Sequence, residues 1–490
     1  MKSYLKLIYQ DFISCLELYK KDNIKYFFFI FFIYLIGYAA LLRADSLYID
    51  DMRRVIDGIP GWENFSRFSS NFLSHFFHTG NLLVDISPLS QLISLIFLSL
   101  SSIIIVKLFT GKLTYFSLFS SIALGLSPYY LENMSYKFDS IYMSIAVFST
   151  IFPFLFIKNT SLYLITGILS LLLMFTTYQS ANSIFIIITI CYAMNLYINE
   201  DKSKNIIKFI LLSGVIFAIS SLLYKLFIVN EINAYVSSSA LPRSKLIEGV
   251  IKNFTIYHND IYNNFRTTVI GKIGITLIVL FPFLLAAHTK KFKNLLIGSL
   301  TLLLAYTLSF GLYTILDKPL FAARAFTGIG SLFSIIIILL STFKIKYIFP
   351  IYTILIFSFN YCLLTISNSY GNILKAQDSF NKDRAILLIS NLNNILPSNK
   401  NHTIFIESGA IHSPELNLAR KEFPILNKLV QIKLQKNWVW SASAIYKLNT
   451  KFNFSTKKCT QSNSTLLKVV DSIHHNIKIY DNDCIVVNYK

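Results

Sequence analysis

Apolar stretches long enough to cross a bilayer recur along this chain and constrain its fold more than any other feature. A transmembrane helix needs roughly 20 predominantly apolar residues. About eleven such stretches are present, at roughly 26–42, 88–107, 114–131, 139–157, 161–177, 181–198, 206–229, 272–288, 294–315, 322–342 and 347–366. With 54% hydrophobic and 14% charged residues, the chain is too apolar for a soluble domain. It is predicted to be an α-helical polytopic membrane protein.

The distribution of basic residues predicts the orientation. If the N-terminal segment 1–25 is cytoplasmic and precedes a retained anchor, every alternate short loop is basic. The lysines of these loops are Lys107, Lys112, Lys158, Lys202, Lys204, Lys208, Lys290, Lys291, Lys293, Lys344 and Lys346. Basic residues favour the cytoplasmic side, so the C-terminus is expected outside. The net charge of +20 is then an orientation signal with affinity for membrane lipid, and nucleic-acid binding is not expected.

With this orientation, the polar residues other than these lysines gather on the outer side, and the first outer loop, 43–87, is the richest. Its stretch "YIDDMRR" places Asp50 and Asp51 just beyond the first apolar segment. Adjacent carboxylates repel, and a helix cap needs only one of them. One of the pair is therefore a candidate general base for a sugar hydroxyl, and the sequence does not choose between them. Neighbouring arginines favour the charged form, so we expect this base to be ionised near neutral pH.

Other outer residues have side chains suited to a phosphorylated sugar donor and its acceptor. Arginine and lysine bind phosphate oxygens, and the candidates are Arg53, Arg54, Arg67, Lys137 and Arg324. Lys137 and Arg324 are alternatively explained as interfacial anchors. Candidates for contact with sugar or acceptor are Trp62, Glu132, Asp139, Tyr178 and Gln179. For any one tyrosine, a place in the interfacial aromatic belt is an alternative.

No metal or cofactor site is indicated by the residues. The "DD" pair is not a DxD motif, and no His/Cys cluster has metal-ligand spacing, although divalent metal is left open. Cys459 and Cys484 lie in the part of the chain predicted to be external. An oxidising exterior permits a disulfide between them, and two free thiols are the alternative.

The segment 370–490 is more polar and is predicted to be a small extracytoplasmic α/β domain, separate from the membrane domain 26–369. Residues 372–395 have apolar side chains at helical spacing, and 403–407, 465–470 and 484–489 have the apolar runs of strands. Acceptor binding, a lid over the site and a purely structural role are all open for this domain.

Six stretches resemble the bacterial and prophage-borne type II glucosyl transferases that convert O-antigen serotype. They are "YIDDMRRVIDGIPGW", "LVDISPLSQLI", "LSPYYLENMSYKFDSIYMS", "TYQSAN", "AARAFTGIG" and "SYGNILKAQDSF", between about 48 and 380. The resemblance implies a GT-C-like fold, a polyprenyl-phosphate sugar donor and a lipid-linked polysaccharide acceptor, with Asp50 and Asp51 as the acidic pair of the first outer loop. Ser66 stands before Arg67 where family members tend to have glycine, which makes the role of Arg67 less secure.

Together these observations predict an inverting hexosyltransferase of the bacterial inner membrane that acts on O-antigen or a related surface polysaccharide on the periplasmic side. Glucose is implied by the resemblance alone, and the acceptor hydroxyl is open. A lipid-linked-sugar flippase or a polysaccharide polymerase is the alternative. A transporter typically has broken helices and polar residues at mid-membrane, whereas the ionisable residues here gather at one face.

Overall fold

The structure is a computed structural model that describes residues 23–229, 239–396, 402–409, 412–436, 452–460 and 464–490. The predicted cytoplasmic segment 1–25 therefore lies outside the described residues as far as position 22, and the first described helix begins at Ile24.

Apolar helices form most of the described chain. Seven of the described helices are long and apolar enough to cross a membrane: Ile24–Ala44 (α1), Leu89–Thr110 (α4), Thr160–Thr177 (α9), Gln179–Ile198 (a 3₁₀ turn continued by α10, Asn182–Ile198), Ser203–Phe227 (α11), Val269–Thr289 (α13) and Phe349–Asn393 (α16). The shorter apolar stretches are Tyr115–Leu126, Ser140–Phe156 and Thr327–Thr342 (α15), and Lys293–Thr307 is α14. The prediction of a helical, multi-spanning membrane protein is confirmed at this level, while eleven crossings and a GT-C fold stay predictions.

The stretch predicted as a single span at 114–131 is broken in the structure. It forms Tyr115–Phe119 (α5) and Ala123–Leu126 (α6), followed by the short helix Leu131–Ser135 (α7). A Cβ added at Gly125 would lie 2.7 Å from the Tyr34 ring on α1. This stretch is apolar because it is enclosed by other helices, and apolar content alone does not distinguish such a segment from a lipid-facing span.

Helix α16 connects the apolar helices to the C-terminal sheet. It is 45 residues long and packs along α1. Ser367 Oγ donates to the carbonyl of Gly37 at 2.7 Å. A Cβ at Gly371 would lie 2.3 Å from the Leu41 nitrogen, so a side chain there would separate the two helices. The helix predicted at 372–395 is the polar continuation of this element.

The C-terminal part contains a five-stranded sheet in the order β2-β1-β5-β4-β3. The strands are His402–Ser408 (β1), Phe452–Ser455 (β2), Leu466–Asp471 (β3), His475–Tyr480 (β4) and Cys484–Tyr489 (β5). β1 pairs in parallel with β2 and β5, and β4 pairs antiparallel with β3 and β5. The three predicted strands are confirmed, and β2 and β4 were not predicted. Cys459 and Cys484 form a disulfide, with 5.6 Å between their Cα atoms.

Short elements lie between the long helices and between the strands β1 and β2. They comprise the helices Asp51–Asp57 (α2), Phe68–Phe77 (α3), Ser140–Ile151 (α8), Leu246–Phe265 (α12), Pro414–Glu422 (α17) and Leu426–Leu429 (α18), and the 3₁₀ turns Trp62–Phe65, Phe152–Phe156, Arg243–Lys245, Gly311–Ile315 and Ala323–Ala325.

Candidate active site

Loops that are far apart in sequence meet at one end of the helices. Three long-range side-chain contacts join them: Arg54 with Asp139, Arg67 with Gln179, and Arg324 with Glu132. Every one of these residues was predicted for the outer face. The structure therefore gathers the candidate residues of the first, second, third and fifth outer loops into one place.

Asp51 is a fully buried carboxylate that joins two of these loops. It accepts hydrogen bonds from the main-chain N–H groups of Tyr48 and Lys137, both at 3.0 Å, and of Phe138 at 3.4 Å. Burial raises the pKa of the Asp51 carboxyl to about 7, although the N–H of Lys137 and the charge of Arg54 act in the opposite direction. Its oxygens are committed to the protein, which leaves Asp51 poorly placed to take a proton from a ligand.

Asp50 differs from its neighbour in burial and in hydrogen bonding. It is half-buried and precedes the first residue of α2, and among the described residues its carboxylate has no hydrogen-bond donor. Three positive charges act on it, from Arg54, Arg324 and Arg67. Desolvation nevertheless raises the pKa of Asp50, and these arginines only offset part of that effect. The arginines act in the direction predicted from the sequence, whereas the larger contribution of desolvation could not be predicted, because a sequence carries no information about burial.

Arg54 is paired inside the protein. Its guanidinium bonds one oxygen of Asp139, and the indole N–H of Trp62 donates to the other at 2.5 Å. The same guanidinium lies 4.6 Å from the centre of the Trp62 ring. Trp62 is 1% exposed and packs at 4.8 Å against Tyr142. In this arrangement Trp62 and Asp139 hold Arg54 in place and offer little surface to a sugar.

Arg324 is held by Glu132 through two contacts. The guanidinium bonds one carboxylate oxygen, and the Arg324 main-chain N–H donates to the other at 2.7 Å. Glu132 is buried, whereas the Arg324 side chain is 17% exposed. An arginine carries five N–H donors, so Arg324 retains donors for a ligand after binding Glu132.

Arg67 is also only half-buried. Its Nε donates to the Gln179 side-chain oxygen at 3.0 Å, and its guanidinium lies 4.7 Å from the centre of the Tyr178 ring. The Tyr178 hydroxyl in turn donates to the Arg324 carbonyl at 3.3 Å. The third loop therefore positions Arg67 relative to Arg324.

Two of the predicted phosphate-binding residues have other partners. Lys137 is 4% exposed, and its ammonium bonds Asp45 and, at 3.0 Å, Asp85, which joins the two ends of the first outer loop. Arg53 is exposed and pairs with Asp57 one turn along α2 at 3.3 Å. Neither lies in the group around Asp50.

Tyr136 is a site residue that the sequence analysis missed. Its ring packs at 4.9 Å against Tyr48, and the Arg324 guanidinium lies 5.5 Å from its centre. The Tyr136 side chain is buried, and its hydroxyl has no hydrogen-bond partner in the part of the chain that the structure describes. The charges of Arg324, Glu132 and Asp50 all influence the pKa of the Tyr136 hydroxyl. Its position between Glu132 and Lys137 in a polar loop was the available signal.

A C-terminal segment closes one side of this group. The Tyr48 hydroxyl donates to the Leu429 carbonyl and accepts from the Gln431 side chain, both at 2.9 Å. Lys428 bonds Asp260 of α12 at 2.6 Å and lies 4.6 Å from the ring centre of Phe326. Residues 426–431 are thus attached beside both the first and the fifth outer loops.

Comparison with known proteins assigns this sequence to a family. The sequence profile described as "Glucosyl transferase GtrII" matches residues 39–335, which is more than half of the chain. The chain belongs to this family. Residues 39–335 of this GtrII member include every candidate site residue above, from Asp50 to Arg324. The predicted resemblance is confirmed, and membership supports glycosyltransferase activity.

One relative and one negative result accompany this match. A protein of Salmonella phage P22 described as an "Uncharacterized 55.3 kDa protein in gtrB 5'region" is 27% identical over 238 residues. The match covers 47% of this chain and 48% of that protein, so this GtrII member spans about half the length of that relative. No solved structure matches the chain.

Proposed function

We propose that this protein transfers a hexose, glucose by family, from a polyprenyl-phosphate carrier to O-antigen or a related surface polysaccharide on the periplasmic side of the inner membrane, with inversion at the anomeric carbon. Family membership supports the glycosyl transfer. The observation that carries the mechanism is Asp50, a half-buried carboxylate without a hydrogen-bond donor among the described residues, acted on by Arg54, Arg67 and Arg324.

Asp50 acts as the general base. As the acceptor hydroxyl oxygen attacks the anomeric carbon, its proton passes to the Asp50 carboxylate. The bond from the anomeric carbon to the phosphate oxygen breaks on the opposite side of the ring, and the electron pair leaves with the polyprenyl phosphate. This single displacement inverts the configuration and needs no covalent intermediate. The raised pKa of Asp50 makes it a better proton acceptor than an ordinary aspartate.

Arg324 and Arg67 hold the departing phosphate. Both are half-buried and keep N–H groups beyond those bonded to Glu132 and Gln179. Arginine binds phosphate oxygens through paired N–H groups, and the bond strengthens at a rim of low dielectric. Arg54, paired with Asp139, contributes positive charge without contact. Glu132, Asp139 and Trp62 act as positioning residues for these arginines.

The distribution of charge supports the side of the membrane. The site lies at the end of the helices opposite the lysine-rich loops, where Lys291 pairs with Glu200 and Lys293 lies over the Tyr197 ring. By the positive-inside rule the lysine-rich end is cytoplasmic. A carrier whose phosphate lies at the membrane surface reaches such a site without leaving the bilayer.

Transfer of labelled hexose from polyprenyl-phosphoglucose to a lipid-linked polysaccharide tests the proposal. Membranes containing Asp50→Asn should lose about 10²–10⁴ in rate. Asp57→Asn is the matched control, because Asp57 is the last residue of α2, the helix that Asp50 precedes, and pairs with exposed Arg53. Full activity of Asp50→Asn would remove the mechanism. A flippase would move the intact donor across the membrane and form no new glycosidic bond.

A further inference from the structure

Helix α3, Phe68–Phe77, has an apolar face that the mechanism above does not use. Phe68, Phe72 and Phe76 follow one another at intervals of four residues and are 40%, 77% and 74% exposed. On a helix this spacing places side chains on one face. The opposite face packs inward, with Leu73 and Phe77 against the cluster that contains Trp62.

The position of α3 places this face at the membrane surface. Ser69 Oγ and the Thr176 hydroxyl are 2.7 Å apart, and Ser70 Oγ donates to the Thr177 carbonyl at 3.2 Å. Both threonines end α9, an 18-residue apolar helix. With 10 residues, α3 is only about 15 Å long, too short to cross a bilayer, so its exposed phenylalanines are not explained by a span.

The face begins beside a proposed phosphate-binding residue. Arg67 is the residue immediately before α3, and it belongs to the group around Asp50. His75 is the single ionisable side chain within α3. A bound group that continues from a phosphate at Arg67 along this helix therefore meets aromatic carbon and no fixed charge, which suits a hydrocarbon chain and not a glycan.

We infer that the Phe68–Phe72–Phe76 face binds the first isoprene units of the donor's polyprenyl chain, so that Arg67 holds the phosphate and α3 guides the chain into the membrane. This inference rests on the proposed function and adds the site of the lipid. The occupant is the carrier chain because Phe68, where the face begins, directly follows Arg67, the residue proposed to hold the phosphate. Ordinary membrane lipid would need no such continuity.

Donors of two chain lengths test the inference with the full-length protein in detergent. Phe72→Ser/Phe76→Ser should raise the apparent KM about tenfold for a long-chain polyprenyl phosphate glucose and leave the KM for a single-isoprene analogue unchanged. Phe292→Ser is the matched control, because Phe292 is 84% exposed at the lysine-rich end. It should change neither value. Phe72→Leu/Phe76→Leu keeps an apolar face and should stay within about threefold of wild type for the long chain.

Three results would overturn the inference: an unchanged KM for the long-chain donor, an equal rise for both donors, or the same rise in Phe292→Ser. Failure of the proposed function is distinct, because the wild-type protein would then transfer sugar from neither donor. Since Phe72 and Phe76 are exposed, their replacement should leave the unfolding temperature of the detergent-solubilised protein unchanged. The single variant Phe72→Ser provides the same comparison should the double serine variant unfold.

Discussion

The Asp51 carboxylate accepts a hydrogen bond from the main-chain N–H of Lys137 at 3.0 Å, and so the second acid of the pair holds the first outer loop against the second. This bond assigns the two adjacent aspartates different roles. Asp51 stabilises the loops, and Asp50, half-buried beside them, is the residue that we propose as the general base.

Asp51→Ala should lower stability more than Asp50→Ala. It leaves three main-chain N–H groups at a buried position without their acceptor, and we expect a loss of about 2–5 kcal/mol in the free energy of unfolding. Asp50→Ala should change this free energy by less than about 1 kcal/mol, because its carboxylate has no hydrogen-bond donor among the described residues. Thermal unfolding of the purified variants measures both, and equal losses would contradict the assignment.

The titration of Asp51 should make stability fall as pH rises from about 4 to about 7. Its folded pKa is about 7, above the value near 3.9 of an unfolded aspartate. Between these pH values the folded state holds a proton that the unfolded state has lost, so the slope is negative. Relative to Asp51→Asn, the wild-type protein should gain on the order of a few kcal/mol on acidification across this range. Unfolding of both proteins measured against pH provides the check, and parallel curves would contradict it.

Arg324→Ala should weaken donor binding by about tenfold or more, because a charged hydrogen bond to phosphate is lost. The change also leaves Glu132 buried and unpaired, which is costly in itself. Arg324→Ala/Glu132→Gln removes that second effect. The apparent donor KM should be raised in both variants, while the unfolding temperature recovers in the double variant. An unchanged donor KM would show that Arg324 does not bind the donor phosphate.

Removing the disulfide should loosen the C-terminal sheet. Cys459 and Cys484 are separated by 25 positions, and a cross-link closing such a loop stabilises by about 3 kcal/mol in the chain-entropy description. Cys459→Ser/Cys484→Ser should increase proteolysis within 402–490 while leaving the apolar helices intact. Mass spectrometry after alkylation without reduction should find Cys459 and Cys484 of the wild-type protein unmodified. Alkylation of both cysteines would show that the disulfide is absent.

Single cysteines should report the orientation. Arg53→Cys and Lys290→Cys replace exposed residues at opposite ends of the helices. In a background without other free cysteines, a membrane-impermeant maleimide added to spheroplasts should label position 53 and not position 290. Labelling of position 290 alone would place the candidate site on the cytoplasmic side and overturn the proposed carrier and acceptor.

The sequence alone determined the class of protein and predicted most residues of the candidate site. The length of the apolar stretches and the positions of the lysines are local properties that can be read directly from the sequence. Three strands and the polar part of α16 were predicted for the same reason, since their apolar spacing is local. The short strand β2 was missed because its pairing with β1 joins distant parts of the chain. Strand β4 pairs with its sequence neighbours β3 and β5, but it alternates buried and half-buried residues and so lacks the continuous apolar run by which the other strands were predicted.

Only the tertiary structure separated Asp50 from Asp51, placed Lys137 with Asp45 and Asp85, and introduced Tyr136. These outcomes depend on which long-range partner satisfies each buried group and on how much water each loses. Composition, charge and spacing cannot distinguish two identical residues at adjacent positions. Two of the three hydrogen-bond donors to Asp51 come from a loop nearly ninety residues away, and those contacts exist only once the chain has folded.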